Sequence, residues 1–305
     1  MSEQRGPFTS VLVPYDGSDP AKAALALALE LLAPGAKLTV LTVVDEAPVI
    51  AESTTTVMAY DPTPLFEALD AGGRSLLSDA TATCALAHVT PETLIVHDGP
   101  VSGILAASKE HASDLIVMGT HARTGIARLF VGSTTAGVLQ SSTIPVLTTR
   151  ANDAAEAAPF ATLLVAVDDS EASDAAVALA ARMKASLGSK LVVAHVADTS
   201  RLYDNAATYG FSPVPLEEDI KRESDGIVRV ALAHAGLTPE SVTVALVEET
   251  PTTGILDAAS DHHAGTIVMG SHGRRGIRRF FLGSVAEHVV RESPVPVLVV
   301  RVASA

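Results

Sequence analysis

Two glycine-rich blocks in this chain have the residue types and spacing to hold a phosphate. Gly119 and Ala122 are followed nine residues later by Gly132–Ser133, and Gly270 and Gly273 are followed nine residues later by Gly283–Ser284. Glycine lets a backbone turn and lets a ligand approach with no Cβ in the way. A Gly-Ser pair opening a helix presents free N–H groups and the positive end of the helix dipole, a setting that favours an anion. The serine hydroxyl can add one more hydrogen bond. The alternative chemistry is plainer: two ordinary loops with capping serines, duplicated together.

The blocks are repeats of one another. IVMGTHARTGIARLFVGSTTAGVLQSSTIPVLTT, residues 116–149, aligns without a gap to IVMGSHGRRGIRRFFLGSVAEHVVRESPVPVLVV, residues 267–300, with 17 of 34 positions identical. Neither block is a Walker A loop, because no Lys-Ser/Thr follows the second glycine, and neither is a G-x-G-x-x-G dinucleotide fingerprint. Arg123 and Arg274 sit at the same place in the two loops and could clamp a phosphate, or pair with acids on a solvated loop face. His121 and His272 also recur, and a histidine in such a loop reads more simply as a hydrogen-bonded anchor.

Each half supplies one acid upstream, Asp16 in PYDGS and Asp168 in AVDDS. A carboxylate at the end of a first strand can accept from a ribose or hold a metal on phosphates. Capping of the next helix is the competing role, and Ser18 and Ser170 already offer that cap.

The elements that must position these residues alternate strand and helix. In the first half the apolar runs Val11–Tyr15, Leu38–Val44, Leu94–Val96, Leu115–Met118 and Pro145–Thr149 read as strands. Helical patterns lie between them over Lys22–Ala33, over Leu65–Ala87 with an interruption at Gly72 and Gly73, and over Val101–His111. The second half repeats the order, with strands at Leu163–Val167, Leu191–Val196, Val242–Leu246, Ile267–Met269 and Val295–Val300. Such βαβα alternation with continuous apolar strands predicts a parallel sheet covered by helices on both faces. Its ligand site lies beyond the carboxyl ends of the strands at the topological switch point. With strand one beside strand four, each Asp and its glycine block converge on one cleft.

Length and repetition imply two domains, residues 1–150 and 160–305, joined by an Ala-rich linker at 151–159. The chain has 305 residues, a net charge of −14 and a single cysteine. The acidic balance argues against duplex nucleic acid as a partner. One cysteine gives neither an internal disulfide nor a thiolate cluster. No apolar run reaches the ~18 residues of a membrane helix, and the amino terminus lacks the apolar stretch of a signal peptide. The expectation is a cytoplasmic protein with no membrane contact. Cys84 reads as a core residue of a helix.

The G-x-x-G, nine residues and Gly-Ser between an IVMG strand and a PVLVV strand, together with the VPYDGS and VAVDDS openings, resemble the ATP-binding branch of the universal stress protein family. The resemblance covers both halves and identifies the chain as a tandem member. It implies two Rossmann-like domains of the adenine nucleotide α-hydrolase type, each an open parallel five-stranded sheet. It also implies ATP or another adenine nucleotide as ligand, with Mg²⁺ as a possible companion. Carried over, the first half offers Asp16, Val43, Gly119, Gly132 and Ser133, and the second Asp168, Val196, Gly270, Gly273, Gly283 and Ser284. In this pattern the strand-two Val presents its backbone to adenine.

Two departures stand out. Ala122 replaces the second glycine of the first loop, at a cost of ~1–2 kcal/mol if that position needs a positive φ. Thr250 stands where the first half has Gly99. The second site is therefore expected to bind more tightly. The resemblance further implies that the last strands pair the two domains into a pseudo-dimer within one chain, open to further homo-oligomerisation. The expected function is a nucleotide-dependent stress regulator acting through a protein partner. Slow Mg²⁺-dependent ATP hydrolysis and a nucleotide-free interaction scaffold are the alternatives. No P-loop lysine or evident base supports fast phosphoryl transfer.

Overall fold

The computed structural model describes residues 6–45, 63–120, 131–151, 158–198, 214–273 and 282–302. The chain divides into two compact units, one in each half.

The first unit contains β1 (Phe8–Pro14), α1 (Asp19–Leu31), β2 (Leu32–Val44), α2 (Thr63–Leu86), β3 (Glu92–His97), α3 (Pro100–Glu110), β4 (Leu115–Gly119), α4 (Ser133–Ser141) and β5 (Val146–Thr149). Its strand order is β3-β2-β1-β4-β5, and these pairings are parallel. Right-handed crossovers that run outward from β1 in both directions put the switch point between β1 and β4. Consecutive residues Val11, Leu12 and Val13 are all fully buried. Burial at both parities of a strand requires that both faces of the sheet be covered by helices.

The second unit repeats this with β6 (Thr162–Val167), α5 (Glu171–Leu187), β7 (Lys190–Ala197), α6 (Val214–His234), β8 (Thr243–Glu248), α7 (Pro251–Asp261), β9 (Thr266–Gly270), α8 (Ser284–Glu292) and β10 (Val297–Val300). The order is β8-β7-β6-β9-β10, again with parallel pairing. The expected fold class therefore holds in each half.

Local chemistry explains the elements nearest the site. Ser18 caps α1 by accepting the Ala21 N–H at 3.3 Å, and Pro20 occupies the first turn, where its missing donor costs nothing. Ala21, Ala24, Leu25, Ala28 and Leu31 then form the buried stripe of that helix. Ser170 caps α5 in the same way through the Ser173 N–H.

Three element boundaries differ from the sequence reading. α1 ends at Leu31 and β2 begins at once, with Leu32 paired to Phe8 and pairing resumed at Lys37 opposite Ser10. The irregularity between them contains Pro34 and Gly35, the latter at φ 73°. α2 runs unbroken through Gly72 and Gly73. Gly73 packs against β3 and β2, where a methyl would make ordinary contact with Ile95 Cδ1 at 3.4 Å. The edge strands β3 and β8 extend past their apolar cores to Glu92–His97 and Thr243–Glu248. Polar residues are tolerated there because an edge is half solvated. Of the linker, the described end is tied down: Pro159 carbonyl accepts from Thr266 Oγ1 at 2.6 Å.

Candidate functional site

A cleft of about 530 Å³ opens at the carboxyl ends of β6, β7 and β9 in the second unit. Its lining includes six of the residues singled out there from sequence: Asp168, Val196, Gly270, Gly273, Gly283 and Ser284. The volume lies within the usual range for small-molecule sites, about 300–1,000 Å³.

The wall nearest β6 is built on the turn Asp168-Asp169-Ser170. The Ser170 hydroxyl donates to Asp168 Oδ1 at 2.6 Å and lies 3.3 Å from the His272 carbonyl. One serine thus caps α5, fixes the strand-one carboxylate and ties both to the loop after β9. Ser170 supplies the cap, and Asp168 lies against the glycine loop. A Cβ on Gly273 would land on Asp168 Oδ2.

The opposite wall is the amino terminus of α8. Gly283 is its N-cap, with no side-chain cap bond. Ser284 follows as the first helical residue and is exposed. The Gly283 N–H donates to the Ser271 carbonyl at 2.8 Å, which fixes the helix start over the loop. The following amides keep the orphan donors of any helix start.

The glycines of the site serve space, not backbone conformation. Gly119, Gly270, Gly273 and Gly283 all lie outside the left-handed region. A Cβ on Gly270 would fall 2.8 Å from Ala172 C and Cβ, and one on Gly119 would fall 2.6 Å from Pro20 C and Cβ. These two residues let the first strand-to-helix turn pack on the end of the fourth strand. Gly273 needs no positive φ, and an alanine there would bring its methyl against the strand-one carboxylate. Thr250 is likewise no handicap: it has φ −64° and ψ 142°, and Gly99 has φ −60° and ψ 143°.

His272 lines the cleft beside Gly273. Its Nδ1 lies 3.0 Å from Ser271 Oγ, and its Nε2 is buried without a hydrogen-bond partner among the described residues. Burial, with a smaller contribution from the Arg301 cation, pushes its pKa below the ordinary histidine value. The ring is therefore neutral near pH 7, in keeping with a loop anchor.

In the first unit Asp16 and Ser18 repeat the arrangement. Asp16 Oδ1 accepts the Ser18 hydroxyl at 2.6 Å and the Ser18 N–H at 3.0 Å. Gly132 caps α4, and Ser133 is its exposed first residue. Val43 occupies the place in β2 that Val196 occupies in β7, paired with Val96 as Val196 is with Val247. His121, Ala122, Arg123 and Arg274 lie outside the described residues.

The sequence reading missed Asp198, Pro251 and Ile255, which also line the cleft. Asp198 had a legible signal. Ala194, Val196 and Asp198 all face the cleft, and their spacing of two is the side-chain period of a strand.

The family model described as "Universal stress protein family" matches residues 7–150 and again 159–301. The chain belongs to the universal stress protein family. A universal stress protein of Thermus aquaticus is 34% identical over 145 residues, which is 47% of this chain and 99% of that protein. A universal stress protein of Mycobacterium tuberculosis is 26% identical over 235 residues, covering 75% of this chain and 77% of its own. In fold, the chain is similar to the crystal structure of a universal stress protein from Archaeoglobus fulgidus, with a TM-score of 0.68, 23% identity and 98% coverage of both chains. The two family matches make this a tandem member. No helix among the described residues is long and apolar enough to cross a membrane.

Proposed function

We propose that this universal stress protein binds an adenine nucleotide, ATP in the first instance, and acts as a nucleotide-dependent regulator of a stress response. The observation that carries the reading is the second-unit cleft at the switch point, with a carboxylate on one wall and a helix amino terminus on the other. The α8 amides and the Ser284 hydroxyl suit the phosphates. Val196 offers an apolar, half-buried seat for the base. Asp168 is placed to accept from a ribose, and is the carboxylate available to a Mg²⁺ carried on the phosphates. A Cβ on Gly283 would crowd Ser271 O at 3.1 Å, so this glycine lets the start of α8 pack on the loop after β9 and brings the helix amides to the cleft.

The first unit is a second nucleotide site in this reading, weakened by the Ala122 methyl. Arg123 and Arg274 are proposed phosphate clamps. The output is a change in binding to a regulatory protein, with the two domains paired as a pseudo-dimer and further homo-oligomerisation in the cytoplasm.

The test uses freshly purified full-length protein. Denaturation followed by mass spectrometry should release an adenine nucleotide, and calorimetry on the emptied protein should show ATP binding. A stoichiometry of one supports a disabled first site, and two shows that Ala122 is tolerated. Absence of both release and binding would overturn the proposal in favour of a nucleotide-free scaffold.

A further inference from the structure

We propose that Asp198 is a base-specificity residue, accepting a hydrogen bond from the exocyclic amino group of adenine and disfavouring a 6-oxo purine. The inference rests on the nucleotide reading above and assigns a side-chain contribution to base choice.

The cleft has two chemically distinct arms. One arm holds Gly273, Gly283 and the start of α8, where the donors are backbone amides. The other is apolar, with Ala166 and Ala194 on adjacent strands, Val196, and Ile255 from α7. A flat aromatic base belongs in the apolar arm, because the amide arm offers hydrogen-bond donors and a favourable dipole for the phosphates.

Asp198 closes the apolar arm. β6 and β7 are in register with Val167 opposite His195, so continuing the register puts Asp168 alongside Val196. Asp198 lies two residues further along the chain, about 6–7 Å outward if the strand geometry continues. The cleft-facing set Ala194, Val196, Asp198 keeps the two-residue alternation, so the carboxylate is on the base side of the chain. Asp168 is thus nearer the phosphate arm, and Asp198 is at the outer rim of the base arm.

An ionised carboxylate accepts hydrogen bonds and donates none. A 6-amino group presented to it gains a charge-assisted bond. A 6-oxo group in the same pose presents lone pairs to a negative charge, and the site rejects it. The first unit repeats the feature as Val43 and Asp45.

The experiment compares ATP, ITP and 2′-deoxy-ATP by calorimetry on the wild-type chain, on Asp198→Asn, and on the double variant Asp45→Asn/Asp198→Asn. The wild type should prefer ATP over ITP by about 10- to 100-fold, as expected for loss of a hydrogen bond to a charged group. Asparagine can turn an NH₂ toward a 6-oxo group, so Asp198→Asn should bring the ATP/ITP ratio near unity in one class of sites. The double variant should do so in every site that binds. The ATP/deoxy-ATP ratio should stay unchanged. An unmoved ATP/ITP ratio with intact ATP binding overturns this inference alone. A moved ATP/deoxy-ATP ratio also overturns it, by placing Asp198 on the ribose. Failure of the wild type to bind any of the three overturns the nucleotide reading beneath it. Asp198 is exposed beyond the end of β7, so the variants should fold, and matching melting curves check this.

Discussion

The two halves of this chain set the same backbone with different residues. At the turn after strand one, Gly17 has φ 75° and Asp169 has φ 66°. Glycine adopts that region freely, and aspartate is one of the few side chains that tolerates it. At the start of the helix after strand three, Gly99 and Thr250 share one conformation within a few degrees. After strand four the difference is in hydrogen bonding. Thr135 Oγ1 donates to the Gly119 carbonyl at 3.0 Å, whereas the corresponding Ala286 has no hydroxyl to give Gly270. A glycine gained or lost between the repeats therefore has no single meaning: its consequence depends on whether φ or space is limiting.

The largest effect expected from that distinction is at Gly119 and Gly270, where space is limiting and the neighbour is backbone. Gly119→Ala or Gly270→Ala should destabilise its own half by about 3 kcal/mol, the upper range for overpacking a well-packed site. Cys84 makes the halves distinguishable. It is the chain's one cysteine, fully buried in α2, and burial pushes its pKa up to about 11. Thiol labelling near pH 8 therefore reports opening of the first half. Gly119→Ala should accelerate labelling and Gly270→Ala should not. Equal acceleration by both would mean that the halves unfold together.

The next effect concerns ligand binding. Gly273→Ala puts a methyl on Asp168 Oδ2 and should weaken ATP at the second site about tenfold, or ~1.4 kcal/mol. Stability should barely change, because Gly273 is exposed on a loop. The reverse change, Ala122→Gly, should strengthen the first site. Calorimetry of the two variants checks both directions, and an unaltered second-site affinity would remove the steric basis for ranking the sites.

The architecture was legible in the sequence because buried parallel strands such as Val11–Val13 are uninterrupted apolar runs, and because the repeat supplied two readings of each element. The second-unit site was legible for a related reason: a parallel sheet reverses its order beside strand one, so Asp168 and the loop after β9 had to meet. Less accessible were effects that depend on distances between elements. Nothing in the sequence near Gly270 says that its neighbour is the Ala172 backbone. The long β2 was hidden by Pro34-Gly35, which reads as a terminator but here sits in an irregularity between paired segments. Asp198 lies one residue past the end of β7 and reads as the start of a loop, although its period-two relation to Val196 places it on the cleft side.

A smaller effect is a pH dependence in the second half. The His272 pKa is lowered by burial and by Arg301, so the folded state binds that proton less readily than the unfolded chain. The associated stability is fully present above the ordinary histidine pKa of about 6.5. It declines as pH falls through that value toward the lowered one. Melting of the second half should fall between pH 7 and 5 more steeply in the wild type than in His272→Gln. Parallel pH profiles would assign the acid sensitivity elsewhere.

The smallest effect returns to the strand-one turn. Replacing Asp169 with glycine removes the left-handed penalty of about 1–2 kcal/mol but restores backbone freedom worth about 0.5–1 kcal/mol to the unfolded chain. The difference should stabilise the second half by about 0.5 kcal/mol, a rise of about 1–2 °C in its melting temperature. The reciprocal Gly17→Asp should do more harm than the mirror of that gain, because its Cβ would also meet Leu76 Cδ2 at 2.6 Å. Paired thermal melts decide the matter. A fall in the Asp169→Gly melting temperature would mean that the contacts of the Asp169 carboxylate outweigh its backbone strain, and that the second half kept its aspartate for structure.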